Sequence, residues 1–100
     1  MVRYLDKKDD FYDLVQNGIT LVDFYADWCG PCKLMNNILE EIDYMEVIKV
    51  NTDEYDDLAK KHGVMSIPTL CFYKDGLMMY KEIGYRTPDE IKEVFKKIND

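Results

Sequence analysis

The chain has 100 residues, and 13 lysines and arginines stand against 20 aspartates and glutamates, for a net charge of −7. That length supports one compact core, so a single domain spanning 1–100 is expected, and 47% hydrophobic residues are enough to fold it. The negative balance argues against nucleic acid or an anionic membrane surface as the main partner, and no apolar run approaches the roughly 20 residues of a spanning helix.

In chain order, Asp6 offers an N-cap, and Phe11, Leu14 and Val15 then share one helical face until Gly18 ends the helix. Ile19 to Ala26 is rich in β-branched and aromatic residues with little polar alternation, the pattern of a strand covered on both faces. Its one charge is Asp23. After Trp28-Cys29-Gly30-Pro31-Cys32, the residues Met35, Ile38, Leu39 and Ile42 recur at helical spacing and predict a core-facing stripe. Val47 to Val50 reads as a second covered strand, and Asp53 to His62 as a short helix stopped by Gly63. Thr69–Tyr73 and Leu77–Ile83 are β-prone runs joined by Lys74-Asp75-Gly76, which predicts an antiparallel hairpin. Thr87-Pro88-Asp89-Glu90 has the form of a capping box, followed by a stripe of Ile91, Val94, Phe95 and Ile98. The order αβαβα followed by ββα predicts an α/β fold: a central mixed β-sheet flanked by helices on both faces.

The chemistry concentrates at Cys29-Gly30-Pro31-Cys32, where a covered strand gives way to a helix. The sulfurs lie one turn apart and can close a small disulfide. The unpaired N–H groups of a helix start favour a thiolate at Cys29, the species that attacks in disulfide exchange. Half of a zinc site is the competing reading. A tetrahedral site needs four ligands, however, and beyond the pair the chain offers only Cys71 and His62, so no metal is expected. Cys71 is expected as a small core residue on the hairpin strand, and His62 as a surface residue at a helix C-terminus. The acidic stretch Asp53 to Asp57 suits a solvated helix start.

Leu21-Val22-Asp23-Phe24-Tyr25-Ala26-Asp27-Trp28-Cys29-Gly30-Pro31-Cys32-Lys33 resembles the active-site segment of the thioredoxin family. Gly63-Val64-Met65-Ser66-Ile67-Pro68-Thr69-Leu70 resembles that family's cis-proline segment, and Lys49-Val50-Asn51, Lys74-Asp75-Gly76 and Gly84 extend the likeness over nearly the whole chain. The resemblance implies the thioredoxin fold and a dithiol–disulfide oxidoreductase that needs no cofactor. It further implies that Cys29 is the nucleophile, that Cys32 resolves the mixed disulfide, and that Trp28, Gly30, Pro31, Ile67, Pro68 and Gly84 form the docking surface. Asp23 would be the buried proton acceptor for Cys32, with Lys49 its charge partner. Independently of any family, a carboxyl in the middle of a twice-covered strand should have a raised pKa, unless a bulge lets it reach water.

The chain departs from the family pattern where Asn37 replaces a proline five residues after the second cysteine. It departs again where the segment between Ile42 and Val47 is short and the N-terminal strand is reduced to a few residues around Val2-Arg3-Tyr4. The expectation is a cytoplasmic monomer, since Met1 to Asp6 shows no export signal, served by thioredoxin reductase and passing electrons to disulfide-containing proteins. A thioredoxin-like protein dedicated to one partner, and a non-enzymatic assembly subunit using the same docking face, are the rival readings. The intact cysteine pair speaks against the second.

Overall fold

Five strands and four helices make up residues 2–100, the part of the chain that the computed structural model describes. In chain order these are β1 (Val2–Tyr4), α1 (Phe11–Leu14), β2 (Ile19–Tyr25), α2 (Gly30–Glu40), β3 (Glu46–Asn51), α3 (Asp56–Lys61), β4 (Thr69–Lys74), β5 (Leu77–Ile83) and α4 (Pro88–Asn99). The strands form one sheet in the order β1-β3-β2-β4-β5. β3 runs parallel to both β1 and β2, whereas β4 is antiparallel to β2 and β5 antiparallel to β4. This is the mixed sheet that the sequence predicts, and the reduced N-terminal strand still pairs at the edge.

Strand alternation sorts the core into two layers. Leu21, Val47, Leu70 and Phe72 face the layer that holds Met35 and Leu39 of α2 and Ile91, Val94 and Ile98 of α4. Val22, Phe24, Ile48, Val50, Cys71 and Tyr73 face the other layer, with Phe11, Val15 and Ala59. By the same alternation Asp23 and Lys49 belong to the first layer, and they are direct register partners on β2 and β3. Two charges therefore enter an apolar layer side by side.

The caps explain where the elements start. α4 has the predicted capping box: Thr87 Oγ1 accepts from the Glu90 N–H at 3.1 Å, and Glu90 Oε1 accepts from the Thr87 N–H at 2.9 Å. α1 begins later than predicted and is four residues long, because Asp10 rather than Asp6 caps it. Asp6 closes a turn of its own by accepting from the Lys8 N–H. α3 also starts late, since Asn51 Oδ1 accepts from the Asp53 N–H and turns the chain before the helix begins. Ile42 lies just past the end of α2 yet is buried with the stripe. α2 runs unbroken across Asn37.

The β4–β5 hairpin turns on Asp75 and Gly76, both with positive φ (49° and 88°), the backbone of a two-residue primed turn. Asp75 Oδ1 accepts from the Gly18 N–H at 2.8 Å and ties the turn to the start of β2. β5 is an open edge: Leu77, Met78, Met79, Tyr80 and Ile83 are all exposed.

His62 corrects its sequence reading. It is buried, its ring packed against Phe11, Phe24 and Tyr73, with Nδ1 2.9 Å from the Leu58 carbonyl oxygen and Nε2 2.6 Å from the Tyr73 hydroxyl. The helix end points inward here, so the imidazole completes the second core layer instead of meeting solvent. Cys71 is a free, fully buried thiol, as expected, and burial pushes its pKa up to about 11.

Candidate active site

β2 delivers the chain to the top of the sheet, and a short turn leads into Cys29, the N-cap of α2. Cys29 and Cys32 form a disulfide with Cα atoms 5.2 Å apart. The Cys32 N–H donates to Cys29 Sγ at 3.2 Å, so the sulfur takes the place that a capping oxygen usually fills. A donor aimed at that sulfur, at the positive end of an 11-residue helix, stabilises negative charge on it once the disulfide opens. Pro31 occupies the first helical turn, where no N–H is needed. Both cysteine residues are buried, Cys29 at 5% and Cys32 at 2% exposure, whereas Trp28 beside them is 70% exposed.

The segment before β4 completes the surface. The Ile67–Pro68 peptide bond is cis, and the Ile67 carbonyl oxygen lies 3.7 Å from Cys29 Sγ. Thr69 Oγ1 donates to the Ser66 carbonyl at 2.6 Å, and the Gly84 N–H donates to the Pro68 carbonyl at 2.7 Å, so the proline is held from both sides. A shallow groove of about 450 Å³ runs between Trp28 and the 64–67 segment, with Met65, 94% exposed, on its rim. Trp28 Nε1–H donates to Asp53 Oδ2 at 3.0 Å, which fixes the indole over the groove.

Below the disulfide lies the buried pair. Asp23 is fully buried, with Lys49 Nζ 3.3 Å from its Oδ2, and neither carboxyl oxygen has a hydrogen-bond partner among the described residues. Burial raises the Asp23 pKa to about 6, and Lys49 pulls against that rise. Lys49 is itself surrounded: its Nζ donates to Asn36 Oδ1 and stands 4.3 Å from the centre of the Tyr25 ring and 5.7 Å from that of Tyr4. Burial likewise pushes Tyr25 up to about 12. A small cavity of about 150 Å³ is lined by Cys32 together with Asn36, Tyr25 and Tyr4, the three residues that surround the Lys49 ammonium.

The residues that the resemblance implies for the site fall toward one end of the sheet: Trp28, Cys29, Gly30, Pro31 and Cys32 at and just before the start of α2, Ile67, Pro68 and Gly84 across from them, and Asp23 with Lys49 on the paired strands β2 and β3. His62 and Cys71 lie in the opposite layer, and among the described residues no three of His, Cys, Asp or Glu stand close enough together to hold a metal ion. Sequence reasoning missed Asp53, Asn36, Tyr25 and Tyr4. Asn36 had a signal, since it follows Cys32 by four residues and so shares its helix face; Asp53 had none, as nothing local joins it to Trp28.

A cysteine pair held this way, one sulfur at a helix start and beside an extended carbonyl, exchanges disulfides with other thiols, and the molecule is a thiol–disulfide oxidoreductase. The thioredoxin family model matches residues 2–97. A thioredoxin of Staphylococcus aureus is 43% identical over 93 residues, covering 88% of this chain and 89% of the relative. A variant thioredoxin from Halobacterium salinarum superposes with a TM-score of 0.91 at 31% identity, covering 99% of this chain and 91% of the other. A Malassezia sympodialis thioredoxin gives 0.83 at 27% identity, covering 96% and 91%. The chain belongs to the thioredoxin family.

Proposed function

We infer that the chain reduces protein disulfides by a two-step exchange in which each named residue has one role. Cys29 thiolate attacks a substrate disulfide, forms a mixed disulfide and releases one substrate thiolate. Asp23, as carboxylate, takes the proton of Cys32. The Cys32 thiolate then attacks Cys29 Sγ, re-forms the Cys29–Cys32 bond and expels the second substrate thiolate. Two electrons leave the dithiol and none is left over. Lys49 holds the Asp23 charge, while Trp28, Gly30, Pro31, Pro68 and Gly84 form the flat face on which substrate lies, its extended backbone running along Ile67.

The observation that carries this reading is the meeting of Cys29 Sγ, at the positive end of α2, with the Ile67 carbonyl oxygen 3.7 Å away beneath an exposed Trp28. One domain over 1–100, acting as a monomer in the cytoplasm and recharged by a thioredoxin reductase, suffices for the cycle. Among the described residues no helix is long and apolar enough to cross a membrane. Insulin reduction coupled to a reductase tests the assignment. Cys29→Ser abolishes turnover, and Cys32→Ser leaves a protein that accumulates mixed disulfides. Wild-type protein that binds partners yet reduces nothing would make the chain an assembly subunit, and faster alkylation of Cys32 than of Cys29 would reverse the two roles.

A further inference from the structure

Lys49 has more groups competing for it than Asp23 has donors. An ammonium carries three N–H groups. In this chain one goes to Asn36 Oδ1, and the Tyr25 ring lies 4.3 Å from the same nitrogen, while Asp23 Oδ2 stands 3.3 Å away without hydrogen-bond alignment. Asn36 comes from α2, four residues after Cys32, and both line the cavity of about 150 Å³ beside the pair. We propose that Asn36 is a positioning residue: its amide oxygen shares the Lys49 ammonium with Asp23 and thereby sets how well that carboxyl serves Cys32 as a base. The proposal rests on the role given to Asp23 above.

The surroundings leave few other charges to do this. Lys49 is the charged group that acts on Asp23. Across the sheet β4 pairs Leu70 with Asp23, and on the far side of β3 Tyr4 pairs with Lys49. α2 brings Cys32 and Asn36. The remaining titratable groups are the Tyr4 and Tyr25 phenols and, on the wall of the small cavity, Lys33 and Asp27; Asp27 and Glu54 bear on Tyr25 rather than on Asp23. Beyond burial, the control on the carboxyl passes through Lys49, and an uncharged acceptor that moves the ammonium acts on it by that route.

The test follows the Asp23 carboxyl by carbon-13 NMR titration in reduced wild type, Asn36→Leu, Asn36→Ala and Asn36→Asp, alongside the pH profile of mixed-disulfide resolution with a chromogenic aryl disulfide. Leu fills the space, keeps water out and accepts nothing, so Lys49 closes on Asp23. The titration midpoint then falls by about one pH unit, and the acid limb of the resolution profile moves down with it. Asn36→Asp holds the ammonium harder and adds a like charge, and the midpoint rises by about the same amount. A midpoint that Leu leaves in place overturns the proposal. So does a fall in Ala without a fall in Leu, which would make water entry the cause. A midpoint that moves while the resolution profile stays fixed overturns the base role of Asp23, and with it the catalytic half of the proposal, while the placement of Lys49 by Asn36 stands.

Discussion

Two buried polar clusters sit in opposite layers of the same sheet, and they are finished to different degrees. In the second layer His62 has a partner on each ring nitrogen and aromatic rings on its faces. In the first layer Asp23 is also buried, but among the described residues neither of its oxygens has a hydrogen-bond partner, and it has only an ammonium that it shares with Asn36. A satisfied polar group in a core fixes one arrangement and costs little. An unsatisfied one costs stability, and a carboxyl whose pKa is raised toward neutrality can take up and give back a proton near the working pH. The contrast separates structure from chemistry more cleanly than burial alone.

The largest effect should come from breaking the finished cluster. His62→Ala removes a packed ring and strands the Tyr73 hydroxyl, so chemical denaturation should show a loss of about 3 kcal/mol, with the rate of insulin reduction per folded molecule unchanged. A slower rate at full folding would tie His62 to the active site after all.

Breaking the unfinished cluster should do the reverse. Asp23→Asn keeps an oxygen for Lys49 but removes the charge. At pH 8 it should raise stability by about 1–3 kcal/mol and slow disulfide reduction by about 10-fold or more. The gain depends on pH. The folded Asp23 pKa, about 6, lies above the ordinary value of 3.8, so the wild type loses stability as pH rises through that interval, and the loss levels off above it. Wild type and variant should therefore converge in acid, and urea midpoints measured across the range check both the sign and the window.

The smallest effect sharpens the comparison by sign. Burial lowers the His62 pKa from 6.5, so the native state resists protonation there, and stability falls as pH drops through the folded value. His62→Gln should flatten that limb by less than about 1 kcal/mol while leaving the Asp23 limb untouched. Parallel slopes from the two residues would mean that they do not titrate independently.

Much of this is legible in the sequence itself. The hairpin, the capping box and the two covered strands are written in local residue choice, and the α/β order follows from them. Asp23 stood out because a lone charge in an apolar run contradicts its surroundings. His62 misled because the signal around it is local: a residue before Gly63 looks like a helix end, and only the packing of α3 against β2 and β4 turns that end inward. Asp6 reads as the cap of the first helix, but it closes a turn of its own with the Lys8 N–H, and Asp10 caps the helix by accepting from the Tyr12 N–H. The hydrogen bond from Trp28 to Asp53 spans 25 residues, a separation no periodicity reports.

The uncovered edge at β5 bears on how the molecules behave in a crowd. Natural sheets guard such edges with charge, bulges or a covering segment. Here Leu77, Met78, Met79 and Tyr80 lie open, a shift in register between Phe72 and Tyr73 bends the partner strand, and the charges on β5 itself are Lys81 and Glu82. Much of the protection is then collective. With a net charge of −7 at neutral pH, neighbouring copies repel before their edges can meet. That repulsion vanishes near the isoelectric point of about 4.6, where strand can add to strand. Acidification toward that point should therefore increase self-association, an outcome that light scattering would register and that a return to neutral pH should reverse.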